Sequence, residues 1–270
     1  MIIVTCITNG YDEIPDDNYY DPDVQYVCYT DGSIEKKGPW EFRDIPIQHD
    51  CPLRLALYPK IMMHECFPIG SQVVWIDGCY KHTRQWVELS KKLFPRTHLL
   101  HPKRFTYYEE IVEGYVASFQ TKESVIEVTQ TAKDMGFNFK TYTPLALATF
   151  WQTVDEESIP FNEKWWEFSQ ISTRCDQIGF NVARQVTGLT WGKYDGYFTC
   201  GIDFTWETGK SGRKKLHPQI EDKEQWRKEK EILQELKHIT KLRPEFYYKN
   251  GLNFDKWVNR HIWNPDLTNA

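Results

Sequence analysis

One apolar run ending on a single carboxylate and a glycine constrains this chain most. Gln72-Val73-Val74-Trp75-Ile76-Asp77-Gly78-Cys79 reads as a buried strand that delivers Asp77 to the rim of a sheet. In open α/β sheets, ligands sit beyond the carboxyl ends of the strands. An Asp there can hold a divalent cation, and through it a diphosphate, because hard cations take oxygen ligands. The plainer reading of Asp-Gly is a turn, since both residues tolerate left-handed backbone.

The flanking sequence repeats the theme. Residues 2–7 form a β-branched run closed by Thr8-Asn9-Gly10, and residues 24–29 form a second closed by Thr30-Asp31-Gly32-Ser33. Residues 40–47 read as a short third strand. Leu53, Leu57 and Ile61 recur every four residues, which predicts a helix that Pro59 kinks or divides. Arg54 and Lys60 are the cations of that segment, of a kind suited to a diphosphate. Helices are also predicted over 83–94, 107–119 and 121–135, with Gly136 as a stop. Residues 98–104 read as a strand running into a His, Lys and Arg cluster. The apolar run 145–151 fits a strand or a short helix. A helical segment from 162 leads to Arg174, Asp176 and Gln177, polar groups in a packing-rich stretch that suit contact with a polar substrate. Residues 209–218 make a glycine-hinged basic loop able to close over an anion, and 221–240 a charged helix. The expected organisation is a main domain over 1–205, with 206–270 (basic loop, charged helix and aromatic tail) packing on the same body.

Charge and cysteine usage narrow the classes. A net charge of −5 argues against a general nucleic-acid binder, though not against a local basic patch. Seven scattered Cys with no CxxC pair point away from a disulfide framework or structural zinc and toward a reducing, cytoplasmic compartment. No targeting segment and no membrane span is expected.

In order, the fragments resemble a glycosyltransferase-like family that includes the plant seed-mucilage hexosyltransferases, long known only as a domain of unknown function. Asn9-Gly10-Tyr11-Asp12 with Ile14-Pro15 resembles its opening turn, and Tyr26-Val27-Cys28-Tyr29-Thr30-Asp31 its second strand. Arg54, Lys60-Ile61, His64 and Phe67-Pro68 resemble the helix that follows. Trp75-Ile76-Asp77-Gly78, then His101-Pro102-Lys103-Arg104 with Tyr108-Glu109-Glu110, and lastly Arg174 with Asp176-Gln177 and Phe180, complete the set. The match covers about residues 2–182.

The resemblance implies an α/β, GT-A-like fold: a Rossmann-type sandwich with a central mostly parallel sheet and helices on both faces. It implies a transferase that uses a nucleotide-sugar donor, commonly with manganese or magnesium. Many such enzymes carry Asp-x-Asp, whereas this strand ends Asp77-Gly78-Cys79 with one carboxylate. A second metal ligand must then come from elsewhere, and His217 is the candidate. The donor is assigned Thr8, Tyr11, Asp31, Arg54, Lys60, Trp75 and Lys214. The acceptor and sugars are assigned His101, Arg104, Glu109 and Arg174. Asp176, Gln177 and Asp77 are the catalytic candidates, with a retaining mechanism implied by the Asp-Gln pair. Two other readings stay open: a phage-type enzyme that glycosylates a hydroxymethylated base in DNA, and a non-catalytic sugar-binding relic of the fold.

Overall fold

The computed structural model describes residues 1–100, 106–108, 110–111, 121–143, 145–171, 176–195 and 222–240. Their centre is a seven-stranded mixed sheet, mostly parallel, in the order β3-β2-β1-β4-β6-β5-β7. The strands are β1 (Ile2–Ile7), β2 (Gln25–Thr30), β3 (Glu41–Asp44), β4 (Gln72–Ile76), β5 (Arg96–Leu100), β6 (Leu145–Thr153) and β7 (Gly192–Tyr194). Four pairings are parallel, and the two antiparallel ones both involve β6. The sheet is mostly parallel, as expected, and β6 is its one reversed strand. β6 is buried along almost its whole length, so its sequence lacks the alternation that would have marked it as a strand.

The α-helices described are α1 (Pro52–Ile61), α2 (Met63–Cys66), α3 (Arg84–Ser90), α4 (Lys122–Asp134), α5 (Ser158–Ser169), α6 (Asp176–Thr187) and α7 (Asp222–Thr240). Alternate strand residues feed two cores, one on each face. Val4, Val27 and Trp75 pack with Leu57, Ile61, Phe161, Trp165 and Phe180 from α1, α5 and α6. Ile3, Ile7, Val74 and Ile76 pack with Trp86 and Val87 of α3. A third cluster joins α4, α6 and α7, with Lys122 reaching Glu231 at 2.8 Å. The charged helix therefore lies against the body. The basic loop and the aromatic tail fall outside the described residues.

Local signals account for the element boundaries. Pro52 occupies the first turn of α1, where its missing N–H costs nothing. Pro59 is tolerated inside α1, but the chain breaks at Met62 before the four-residue α2. Thr83 and Thr121 cap α3 and α4 through their side chains. The stretch expected as one strand or helix from 138 divides: Asn138 caps a 3₁₀ turn, Phe139–Thr141, and β6 follows. Among the described residues, no helix is long and apolar enough to cross a membrane.

Candidate functional site

The chain runs from β1 outward through β2 to β3, then returns to place β4 on the other side of β1. The carboxyl ends of β1 and β4 flank that change of direction, the place where open α/β sheets bind ligands. Thr8 follows β1 and Asp77 follows β4. A third residue, Asp176, reaches the same spot from the first turn of α6.

Lys60 joins the two carboxylates. Its ammonium lies 2.9 Å from Asp176 Oδ2 and 3.5 Å from Asp77 Oδ1. The residue is only 5% exposed, near the end of α1. Burial alone would lower the Lys60 pKa, but the charges of Asp176 and then Asp77 outweigh it and raise the pKa above its ordinary value. A buried ammonium is tolerable here because both contacts supply compensating charge. The two acids are held in turn. Trp75 Nε1 donates to Asp77 Oδ1 at 2.8 Å, two residues back on the same face of β4. Gln177 N donates to Asp176 Oδ1 at 3.0 Å, and Trp165 Nε1 donates to the Asp176 carbonyl at 2.9 Å. A carboxylate in the first turn of a helix also meets the favourable end of its dipole.

Gly78 explains why this strand can end so close to β1. A Cβ there would sit 2.6 Å from Cγ1 and 2.8 Å from Cδ1 of Ile7. The turn closes with Tyr80 N donating to the Asp77 carbonyl at 3.0 Å.

The neighbouring loops are tied by Asp31. Asn9 and Gly10 take positive φ values of 55° and 57°. Asn9 N donates to Asp31 Oδ2 at 2.8 Å, Ser33 N to Asp31 Oδ1 at 3.1 Å, and Gly10 N to Ser33 Oγ at 2.7 Å. Burial pushes the Asp31 pKa up, but hydrogen bonds from Ser33 and Asn9 outweigh it and leave the carboxyl below its usual range. Thr8 Oγ1 donates to the Pro52 carbonyl at 2.9 Å, fastening the end of β1 to the start of α1. Tyr11 N closes a turn onto the Thr8 carbonyl at 3.1 Å.

The structure thus brings Asp77, Asp176 and Lys60 into contact, with Trp75 and Gln177 supporting them. Thr8, Tyr11 and Asp31 gather at the adjoining loops. Trp75 and Lys60, expected to meet the donor, are 3% and 5% exposed and act on the carboxylates in this structure. Arg54 donates from Nη2 to the Gln170 carbonyl, with His49 Nε2 3.5 Å from Nη1. His101, Arg104, Glu109, Arg174, Lys214 and His217 lie outside the described residues. Sequence reasoning placed no weight on Asn181, whose buried amide accepts from Thr143 N and donates to the Thr143 and Gln177 carbonyls at 3.0–3.1 Å. Its signal was an amide set between Phe180 and Val182 in a helix whose neighbours are apolar.

A divalent cation at Asp77 needs several oxygen ligands. The described residues bring no group of three or more His, Cys, Asp or Glu together. Asp77 Oδ1 already accepts from Trp75 and faces an ammonium. Alone, the described residues do not fit a metal centre. No protein-family model matches the chain, and no curated protein does.

Proposed function

We propose that the chain is a glycosyltransferase that moves a sugar from a nucleotide-sugar donor, in the first instance a UDP-sugar, to a hydroxyl acceptor. The observation that carries the reading is Lys60 held between Asp77 and Asp176 at the carboxyl edge of β1 and β4. Two carboxylates from distant parts of the chain, fixed by one buried cation where ligands bind in such sheets, make a structured polar centre rather than a solvated rim. The GT-A-like reading accommodates a mixed sheet with helices on both faces.

In this reading the nucleoside lies over the loops joined by Asp31, and the donor sugar over Asp176 and Gln177. Asp176 stabilises positive charge that develops at the anomeric carbon. Lys60 holds and aims Asp176, and Trp75 keeps Asp77 turned toward the diphosphate end. With retention, the anomeric C–O bond to the diphosphate breaks as the acceptor oxygen bonds from the same side. The acceptor proton passes to the departing phosphate oxygen, so no protein base is required. A bound Mn²⁺ or Mg²⁺ would neutralise diphosphate charge, and no step above depends on it.

The test is hydrolysis and transfer with a panel of nucleotide sugars, with and without Mn²⁺. Asp77→Asn and Asp176→Asn are each expected to lower turnover at least about a hundredfold while the fold persists. Wild-type turnover in Asp77→Asn would remove the assignment. Saturable donor binding with turnover of no donor would favour the non-catalytic reading, and a gel shift with duplex DNA that resists moderate salt would favour DNA as acceptor.

A further inference from the structure

A cavity of about 440 Å³ opens at the other edge of the sheet, where β2 and β3 begin. Gln25 is the first residue of β2 and Glu41 the first of β3, and both line it. From Gln25 the strand leads to Asp31, so the cavity stands about 20 Å from the loops that Asp31 ties, six residues at the strand rise. Small-molecule sites have volumes of about 300–1,000 Å³, and this cavity falls among them. Tyr20, Pro22, Val24 and Pro39 give it apolar surface. Asp21, Gln25 and Glu41 give it polar atoms.

The polar groups are already fixed in place. Asp21 is 7% exposed; Lys91 Nζ donates to its Oδ2 and Asp23 N to its Oδ1, both at 2.9 Å. Glu41 Oε1 accepts from Arg43 Nε at 2.7 Å, and Oε2 accepts from Gln25 Nε2 at 2.8 Å. Gln25 keeps its amide oxygen as an acceptor. The wall behind is aromatic. Tyr20 meets Tyr26, also in the lining, edge to face with ring centroids 5.0 Å apart. Trp40 and His82 each pack on the Tyr26 ring at 5.5 Å. Asp21 N donates to the Tyr26 hydroxyl at 2.8 Å, and Trp40 Nε1 to the Tyr20 hydroxyl at 2.9 Å. Both phenols accept in those bonds, so each retains its own O–H to give.

Charge decides the class of ligand. Asp21 is already paired with Lys91 and Glu41 with Arg43, so a cation gains little from either acid. Among the described residues two acids and no cation line the cavity, which disfavours an anion. The fitting ligand is neutral. It brings donors to the carboxylate and amide oxygens, accepts from the phenols, and lays apolar surface on the prolines and Tyr20. A proline-rich peptide carries carbonyl acceptors without N–H donors, and would leave those oxygens stripped of water and unpaired. A sugar hydroxyl both donates and accepts, and the C–H face of a pyranose is apolar. We propose that this cavity binds a neutral saccharide, at a site separate from the one at Asp77 and Asp176. The proposal rests on the lining of the cavity and stands without the glycosyltransferase reading.

The experiment titrates the full chain at pH 7 with cellotetraose, xylotetraose and mannotetraose. Tetramethylammonium, inorganic phosphate and a proline decapeptide represent the competing chemistries. The Trp40 indole N–H, bonded to Tyr20, reports occupancy by NMR, and calorimetry gives affinities in the variants. At least one tetrasaccharide is expected to shift that resonance saturably at millimolar concentration, and the other three probes to leave it in place. Gln25→Ala and Tyr20→Phe should each weaken the sugar about threefold or more, the loss of a hydrogen bond. Gln25 is exposed, so its variant keeps the test valid even if Tyr20→Phe folds poorly. No shift with any of the three sugars, or sugar affinity unchanged in Gln25→Ala, overturns the proposal. So does affinity that survives Gln25→Ala and is lost in Asp176→Asn, which places the sugar at the other edge. Binding of the peptide or of tetramethylammonium without any sugar overturns it too. Nucleotide-sugar turnover separates the two ideas. Donor turnover without sugar at this cavity sinks only this inference, and sugar here without turnover of any donor sinks only the glycosyltransferase reading.

Discussion

Lys60→Met keeps the length and bulk of the buried stem and removes its charge, leaving Asp77 and Asp176 facing each other. In the wild type the ammonium stands 2.9 Å and 3.5 Å from the two acids. At an effective dielectric of about 20, those separations correspond to about 6 and about 5 kcal/mol of attraction before desolvation. Desolvating the three charges offsets most of that. What remains costly is stripping one partner from a buried set, about 3–5 kcal/mol. The Asp77 and Asp176 side chains are 27% and 16% exposed, so water screens part of the repulsion left behind. The expected loss is therefore about 3 kcal/mol at pH 7, the lower end of the range. Urea denaturation with an unchanged m-value measures it. The sign with pH follows from which charges are unpaired. In the wild type Lys60 has a raised folded pKa, so its stabilisation is complete below about pH 10.4 and fades as pH climbs through the folded value. Adding Asp176→Asn to Lys60→Met should recover part of the loss, giving a coupling of the kind seen between contacting residues. A deficit below about 1 kcal/mol at pH 7 would refute the reasoning.

Two further outcomes follow from the same coordinates. Burial pushes the His82 and His98 pKa values down to about 4. Each therefore contributes stability present above the unfolded value of about 6.5 and lost as pH falls toward 4, about 2–3 kcal/mol per residue at pH 4.5. His82 sits against Tyr20, Tyr26, Trp40 and Trp86, so His82→Phe should remove its share of the acid sensitivity in denaturation measured at pH 7 and 4.5. Equal acid sensitivity in variant and wild type would rule that out. Gly78→Ala forces a Cβ to within 2.6 Å of Ile7 and should cost about 1–3 kcal/mol. Ile7→Ala in the same chain should relieve part of that cost, and strictly additive losses in the double variant would count against the steric account.

Much of the sheet could be read from residue patterns because β1, β2 and β4 are short apolar runs closed by polar, glycine-bearing turns. The direction of β6 could not be read that way. Periodicity shows which side chains are buried, not which way the chain runs, and β6 is buried on both faces. Lys60 illustrates the same limit in the site. Next to Ile61 in a predicted helix, a lysine reads as a solvated or ligand-facing charge. Its burial depends on Asp176, 116 residues away in the chain, and no local pattern encodes that contact. The same holds for Arg184, whose neutral partners are on its own helix and on a segment 41 residues earlier.

Asp77 shows how the two readings of an Asp-Gly pair can be separated. If the aspartate served only the turn, its side chain would be expected to accept from backbone N–H groups just ahead of it, as Asp31 does from Ser33. At Asp77 the backbone closes the turn, through its carbonyl and Tyr80 N, and the carboxylate points elsewhere. Oδ1 takes the indole N–H of Trp75 and faces the ammonium of Lys60. Those partners come from β4 and α1, and Lys60 brings in Asp176 from α6. A turn alone needs none of these. Each carries a cost: a buried lysine, an indole N–H that must find an acceptor, and a carboxylate drawn partly out of water. The arrangement fixes one orientation of Asp77 at the point where the sheet can bind a ligand. Turn and candidate site therefore draw on different atoms of the same residue, and only the side-chain atoms bear on the proposed chemistry.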